Sequence, residues 1–393
     1  MSLENLPLLL DQVVDLRHTL HSRPELAHTE RDTAARLADF LERAGCGDLR
    51  TGLGGTGVAA VLVGAEPGPT VLLRCELDAL PIHEDGTLPY ASVNAGMSHK
   101  CGHDGHMAIC AGVGAALARN PPRRGRVVLL FQPAEETGEG MKRVLEDPAF
   151  AGIEPDVAFA IHNLPGYPLG SVVLREGVFA WASVGLSAEL TGATSHAAYP
   201  EDGTSPARTL GTLLVELDRL RPGSTEGLST VIHARLGSPA FGTAPGEAAL
   251  DLTLRATTQQ ALDAFREDIE TRIQTLAARD RLTYVSSQIE PFPPTHNHEW
   301  CVDRVRDAAG EAGLSVVDLE EPFRWSEDFG HLAAVCPIAL IGLGSGVDTP
   351  QLHHPDFDFD DRLIEPGVRL LLTLVEHLLD RLPPMDVPCL NRR

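Results

Sequence analysis

Cys101 and His103 stand two positions apart in the run CGHDGH at 101–106. A thiolate and an imidazole that close can both reach one metal ion. The pair precedes a small-residue stretch near 104–118 that reads as a helix, so a loop cysteine followed by helix-capping polar groups is the plainer alternative. Glu135 and Glu136 are adjacent carboxylates in FQPAEETGEG at 131–140, directly after an apolar run. Neighbouring residues in a turning segment point different ways, so one can hold a cation while the other acts as general base. A solvated acidic loop would look the same. His162 follows the run DVAFAI, where a lone histidine is commonly structural. In LHHPDFDFDD at 352–361 either His353 or His354 could be a ligand, with Pro355 fixing the turn. Asp78, in RCELDALP at 74–81, could orient a metal-bound histidine by a hydrogen bond from outside the coordination sphere.

These residues need elements to bring them together. Residues 6–20 read as a helix, and a second follows Thr29, with Leu37, Phe40 and Leu41 on one face and Gly45 and Gly47 beyond its end. VAAVLV at 58–63, TVLL at 70–73, RVVLLF at 126–131 and DVAFAI at 156–161 are near-continuous apolar runs of the kind found in buried strands. With the helix near 104–118 between them, they predict a largely parallel sheet covered by helices. Asp78, Glu135, Glu136 and His162 then all fall at the carboxyl ends of strands of one sheet, where open α/β sheets place their ligands. A thiolate, several histidines and a carboxylate suit Zn or Mn better than Mg or Ca.

The rhythm changes near residue 181. SVGLSAELT alternates like a half-exposed strand, and the order β-α-β-β-α-β over the next hundred or so residues is that of a ferredoxin-like sandwich. PFPPTHN at 291–297 closes it, and strand and helix signals resume with PIALIGLG at 337–344 and a helix from about 361 to 381. The expected organisation is an α/β domain in two parts, 1–180 and 291–393, with a smaller α+β domain inserted at 181–290.

The chain has 393 residues, an apolar fraction of 43% and a formal charge of −23. That length predicts more than one core. That charge argues against nucleic acid or an anionic membrane as partner. The N-terminal stretch has no basic region of the secretory type, no apolar run approaches a membrane span, and seven scattered cysteines suggest reduced thiols. A cytoplasmic enzyme is expected.

With these motifs in view, the chain resembles the aminoacylase and carboxypeptidase-G family of dinuclear metallohydrolases. It is most similar to the amidohydrolase branch that includes hippurate hydrolase and the auxin-conjugate hydrolases. HSRPEL at 21–26, GGTGVAA at 54–60, LRCELDALP at 73–81, CGHDGH, FQPAEE, HAAYP at 196–200, SEDFG at 326–330 and LHHPDFDFDD occur in the family's order, nearly end to end. The resemblance implies two divalent metals, Mn or Zn before Co or Ni, on Cys101, His103, Glu136, His162 and His353. It implies Glu135 as the base that deprotonates a metal-activated water, with Asp78 in support. His196, in an inserted domain that would be the lid of a catalytic domain, would help bind the scissile carbonyl, and Arg255 would hold a substrate carboxylate. The substrate implied is a small N-acyl amino acid, and the assembly a homodimer through the lid, whose histidine reaches the partner's active site. A dipeptidase on the same metal machinery and a non-catalytic binding protein are the other readings. Three departures stand out. Thr194-Ser195 precede the lid histidine where the family has Gly-Gly. GTAP at 242–245 puts Gly242 where the family has an Asn that meets the substrate. Glu76-Leu77-Asp78 replaces Asp-Met-Asp.

Overall fold

The computed structural model describes residues 6–85, 87–219 and 227–381. The chain forms two compact units: Met1–Phe179 with Thr295–Glu321 and Asp328–Arg393, and Ala180–Pro294 with Pro322–Glu327.

The first unit opens with helices α1 (Leu6–His21) and α2 (Arg31–Ala44). Leu9, Val13, Leu16 and Leu20 recur at helical spacing and are all buried. α2 stops at Gly45, whose φ of 93° is left-handed. Strands β1 (Asp48–Leu53), β2 (Gly57–Val63) and β3 (Glu66–Glu76) follow, then α3 (His103–Arg119), β4 (Arg124–Gln132), α4 (Gly140–Glu146), β5 (Val157–Pro165), β6 (Val172–Leu174) and β7 (Gly177–Ala180). α3 is apolar nearly all round and correspondingly buried from His103 to Leu117.

The second unit contains β8 (Ala182–Thr191), β9 (Ser195–His196), α5 (Ala207–Arg219), β10 (Leu228–Leu236), β11 (Thr243–Ala244), β12 (Glu247–Ala256), α6 (Gln259–Arg279) and β13 (Thr283–Phe292). The chain then returns to the first unit through β14 (Thr295–Asn297), α7 (Glu299–Glu311), β15 (Val316–Asp318), β16 (Ile338–Gly346) and α8 (Ile364–Glu376).

The first unit's sheet has the order β1-β2-β4-β3-β5-β16-β6-β15. β4, β3, β5 and β16 are mutually parallel, and each is packed with Val, Leu, Ile or Phe. β2 pairs antiparallel with β4, so the parallel block is narrower than the apolar runs suggested. The block nevertheless points the carboxyl ends of β3, β4 and β5 to one edge, and α3 begins at that edge.

The second unit's sheet has the order β10-β12-β8-β13, entirely antiparallel, which is the ferredoxin-like order. Alternate residues of β12 are buried, and they meet Leu210, Leu213 and Leu217 of α5 and Ile269 and Ile273 of α6. The expected second catalytic stretch, 291–393, needs a correction. Pro322–Glu327 belongs to the second unit. The Trp181 N–H donates to the carbonyls of Phe323 and Trp325, Phe323 and Trp325 stack at 4.9 Å, and the Arg324 guanidinium lies 5.8 Å from the Trp181 ring. None of these contacts has a periodic signature in the sequence.

Candidate metal centre

The centre is assembled at the carboxyl edge of the parallel block. β4 ends at Gln132, and the chain turns through Pro133 and Ala134 into a single helical turn, Glu135–Thr137. Ala134 has φ 51° and ψ 45°, the left-handed region, without being glycine. The turn is gripped from both sides: Ala134 N–H donates to Glu30 Oε1 at 2.8 Å, and Glu136 N–H to Asp78 Oδ2 at 3.0 Å. Glu135 is buried and Glu136 half-buried, and each places a carboxylate oxygen 3.8 Å from His103 Nε2.

His103 is the first residue of α3 and is fully buried. Its Nδ1–H donates to the Asp78 carbonyl at 2.8 Å, which turns Nε2 toward the carboxylates. Two glycines of CGHDGH make the approach possible. Gly102 has φ 87°, and a Cβ there would lie 2.3 Å from Asn163 Oδ1; one on Gly105 would lie 2.3 Å from the Phe359 ring. His162 sits inside β5. Its Nδ1–H donates to the Asn163 carbonyl at 2.9 Å, leaving Nε2 3.6 Å from Cys101 Sγ. His353 arrives from the loop after β16, with its N–H on the Lys100 carbonyl at 2.7 Å and its Nε2 3.5 Å from Glu136 Oε1. His354 is exposed, and its Nδ1 accepts from Asp356 N–H instead. His353 also has a left-handed φ, 64°, so two residues of this edge hold conformations that cost on the order of 1–3 kcal/mol each.

The donors fall into two trios, Cys101–His103–His162 and Cys101–Glu136–His353, with ligand atoms within 4.8 Å of one another in each; Cys101 belongs to both. Two buried polar atoms facing this space have no hydrogen-bond partner, His103 Nε2 and Glu136 Oε1. Buried polar atoms are otherwise almost always paired, so a cation fits what these residues require. The electrostatics agree. Burial disfavours a charged His103, yet the Cys101 sulfur and Asp78 outweigh it and hold that group well above the ordinary histidine value. The Cys101 sulfur, followed by the Glu136 carboxylate 3.5 Å away, lifts His353 to about 10. Burial, reinforced by His106, pushes His162 down to about 3, so it offers a neutral lone pair. A pocket with such proton affinity at two ligands is one where a divalent cation would displace protons.

Two buried networks behind the centre were not read from the sequence. Asp104, next to His103, is held by Arg17 at 3.1 Å and His21 at 2.8 Å, both from α1. Burial alone would raise the Asp104 carboxyl; these partners hold it far below the usual carboxylate range. In the second network the His106 ring takes the Asn163 N–H at 3.1 Å and donates Nδ1–H to Glu76 at 2.7 Å. Glu76 in turn pairs with Arg74, which also binds Asp328 at 2.8 Å. Despite burial, Glu76 is held well below its ordinary value by Arg74 and His106. The residue that departs from the family pattern is therefore a fully bonded anchor.

His196 and Arg255 lie in the second unit. His196 is exposed on β9, paired with Thr243 of β11, and its Nδ1 accepts from Ala198 N–H at 3.1 Å. Gly242 is beside it, accepting from Ala197 N–H at 2.9 Å, with open space where a side chain would stand. Arg255 is half-buried, and Nη1 donates to Ser326 Oγ at 2.9 Å and to the Arg324 carbonyl at 3.1 Å. The ribbon bearing His196 leaves the sheet where Gly192 N–H meets the Gly246 carbonyl, at the start of β12, whereas Arg255 is at its end, opposite Ser183. Strand rise puts about 27 Å between Glu247 and Arg255.

The fold and this edge define a class, the metal-dependent hydrolases of amide bonds, and comparison gives the family. The model of peptidase family M20/M25/M40 matches residues 72–377, and the chain belongs to that family. It is 32% identical over 380 residues to the N-acetyl-L-cysteine deacetylase of Bacillus subtilis, covering 96% of this chain and 90% of that one. It is 28% identical over 379 residues to an N-acetyldiaminopimelate deacetylase of Lacticaseibacillus casei, covering 93% and 97%. Among solved structures, a Bacillus subtilis protein described as a dinuclear metal-binding peptidase of the M20 family superimposes with a TM-score of 0.81 at 25% identity, covering 96% of this chain and 99% of that one.

Proposed function

We propose that this chain hydrolyses the amide bond of N-acyl amino acids, with two divalent cations held by Cys101, His103, Glu136, His162 and His353 and with Glu135 as general base. The observation that carries the reading is the pair of donor trios sharing Cys101, with Glu135 at their rim. The thiolate, imidazole and carboxylate donors favour Zn or Mn, then Co or Ni. Such cations supply Lewis acidity, lowering the pKa of water toward neutrality and polarising the amide carbonyl.

This chain's own residues do the rest. Glu135 accepts a proton from the attacking water and passes it to the departing amine nitrogen. Asp78 keeps the Glu135–Glu136 turn and the His103 ring in place. Because His196 Nδ1 already accepts the Ala198 N–H, its proton sits on Nε2, the tautomer that can donate to the developing oxyanion. Arg255 pairs with the carboxylate of the amino acid. The separation of His196 from Arg255 favours a homodimer in which a second copy supplies the histidine. The deacetylase activities of the relatives point to a small acyl group. Buried free thiols at Cys46, Cys75, Cys110, Cys301 and Cys336 suit a reducing cytosol.

The test is a panel of N-acetyl and N-benzoyl amino acids beside dipeptides, assayed with Mn, Zn and Co. Turnover of the N-acyl compounds is expected. Cleavage of dipeptides with none of the N-acyl compounds would replace this reading with a dipeptidase.

A further inference from the structure

We propose that Glu30 is a positioning residue for this reaction: its carboxylate holds the strained Ala134 amide and so sets the turn from which Glu135 and Glu136 diverge. The kinetic part of this inference rests on the hydrolase reading above; the part concerning metal affinity does not.

Glu30 occupies the N-cap position of α2, yet its side chain makes no bond to that helix. The task falls to Glu25, whose Oε2 takes the Thr33 N–H at 2.7 Å. Glu30 is instead fully buried, and its two oxygens are used elsewhere. One accepts from Ala134 N–H and the other from Thr56 Oγ, both at 2.8 Å. Among the described residues no Lys, Arg or His forms an ion pair with it. A buried carboxylate bonded only to neutral donors is costly to keep. Its placement is explained by what it grips.

Ala134 is left-handed, a conformation that glycine adopts freely and alanine resists. Such a residue stays there only when its surroundings over-determine it. Ala134 N–H goes to Glu30 and Glu136 N–H to Asp78, so two carboxylates hold alternate amides on either side of Glu135. If the Glu30 bond is lost, Ala134 can relax toward a right-handed or extended backbone. That rotation redirects Glu135 and Glu136 together, the one away from the reacting water and the other away from Cys101 and His353.

The experiment uses the full-length metal-loaded protein with Glu30→Ala, Glu30→Gln and Glu30→Asp, each also combined with Ala134→Gly. The readouts are kcat, KM, affinity for Mn and Co, the visible spectrum of the Co-loaded protein, and melting temperature. Glu30→Ala is expected to lower kcat on the order of 10- to 100-fold, as displacement of a catalytic group by about 1 Å does. It should weaken metal binding and alter the Co spectrum, with KM little changed. Glu30→Gln, which keeps an acceptor for Ala134 N–H, should hold near wild-type values. Adding Ala134→Gly to Glu30→Ala should recover most of the lost kcat and metal affinity but not the melting temperature, because glycine reaches the turn without the grip. If Glu30→Ala does not fold, Glu30→Asp, one methylene short, should show the same pattern in weaker form. Wild-type kcat and metal affinity in Glu30→Ala, or losses that follow melting temperature and do not respond to Ala134→Gly, would overturn the assignment. If the wild-type protein cleaves no amide, the hydrolase reading falls while the metal arm still decides this one.

Discussion

His103 and His196 are both assigned to one reaction, yet the molecule treats them in opposite ways. His103 is buried, its tautomer set by the Asp78 carbonyl, its neighbour Asp104 anchored by Arg17 and His21 from a different helix. His196 is exposed on a two-residue strand and fixed by one local bond from Ala198. The first unit gathers its candidate donors from α3, β5, a tight turn after β4 and the loop after β16, with two strained backbones among them. In the second unit His196 stands exposed on the β9–β11 ribbon and Arg255 half-buried near the far end of β12. On the reading proposed above, preorganisation is concentrated where charge is held, and exposure where a partner or substrate is met.

The sharpest break of that comparison is Glu135→Gln. It should keep its metal, measured by elemental analysis after dialysis, and lose turnover by on the order of 10² to 10⁴; near-normal rates would move the base elsewhere. Cys101→Ser removes the donor shared by both trios. Metal content should fall while the folded spectrum persists, and an unchanged stoichiometry would return this sulfur to a packing role. In the second unit, His196→Ala should lower kcat with metal content intact. Mixing His196→Ala chains with Glu135→Gln chains should regain turnover above either parent, since one site of the mixed dimer keeps both groups. No regain would place the histidine in its own chain's site or outside the reaction. Arg255→Ala should mainly raise KM for substrates that carry a carboxylate. The smallest effect concerns pH. Burial alone would lower His21, but Asp104 and Glu84 raise it to about 9 from 6.5. The stability it contributes is therefore complete below about pH 6.5 and is lost as pH rises through about 9. His21→Gln should flatten the decline of melting temperature across that window.

The gathering of Asp78, Glu135 and His162 at one edge was legible because apolar strand runs end near them, although β5 continues past His162 to Pro165. Spacing alone left His353 and His354 open; only the family resemblance chose His353, whose left-handed backbone and bond to Lys100 have no local signature. Glu30, Arg17 and His21 were invisible for a related reason. Each acts on a residue about a hundred positions away or nearly so, and each has an ordinary local explanation as a helix cap or a helix-surface charge. Glu76, where the chain departs from the family pattern, is bonded to both Arg74 and His106. The short strands β6 and β15, at three residues each, are too brief to show the apolar runs that mark the parallel block, and β1 is mostly polar.

The backbone bond from His353 to Lys100 has a consequence for how the protein is made. Cys101, His103, Glu136 and His162 have all been synthesised before the second unit begins. His353 follows only after that unit, β16 and their connections. A ribosome-bound chain can thus fold most of the first sheet and still lack a donor from one trio. If these residues hold metal as proposed, secure capture waits until residue 353 has been made, after the whole of the second unit's first stretch.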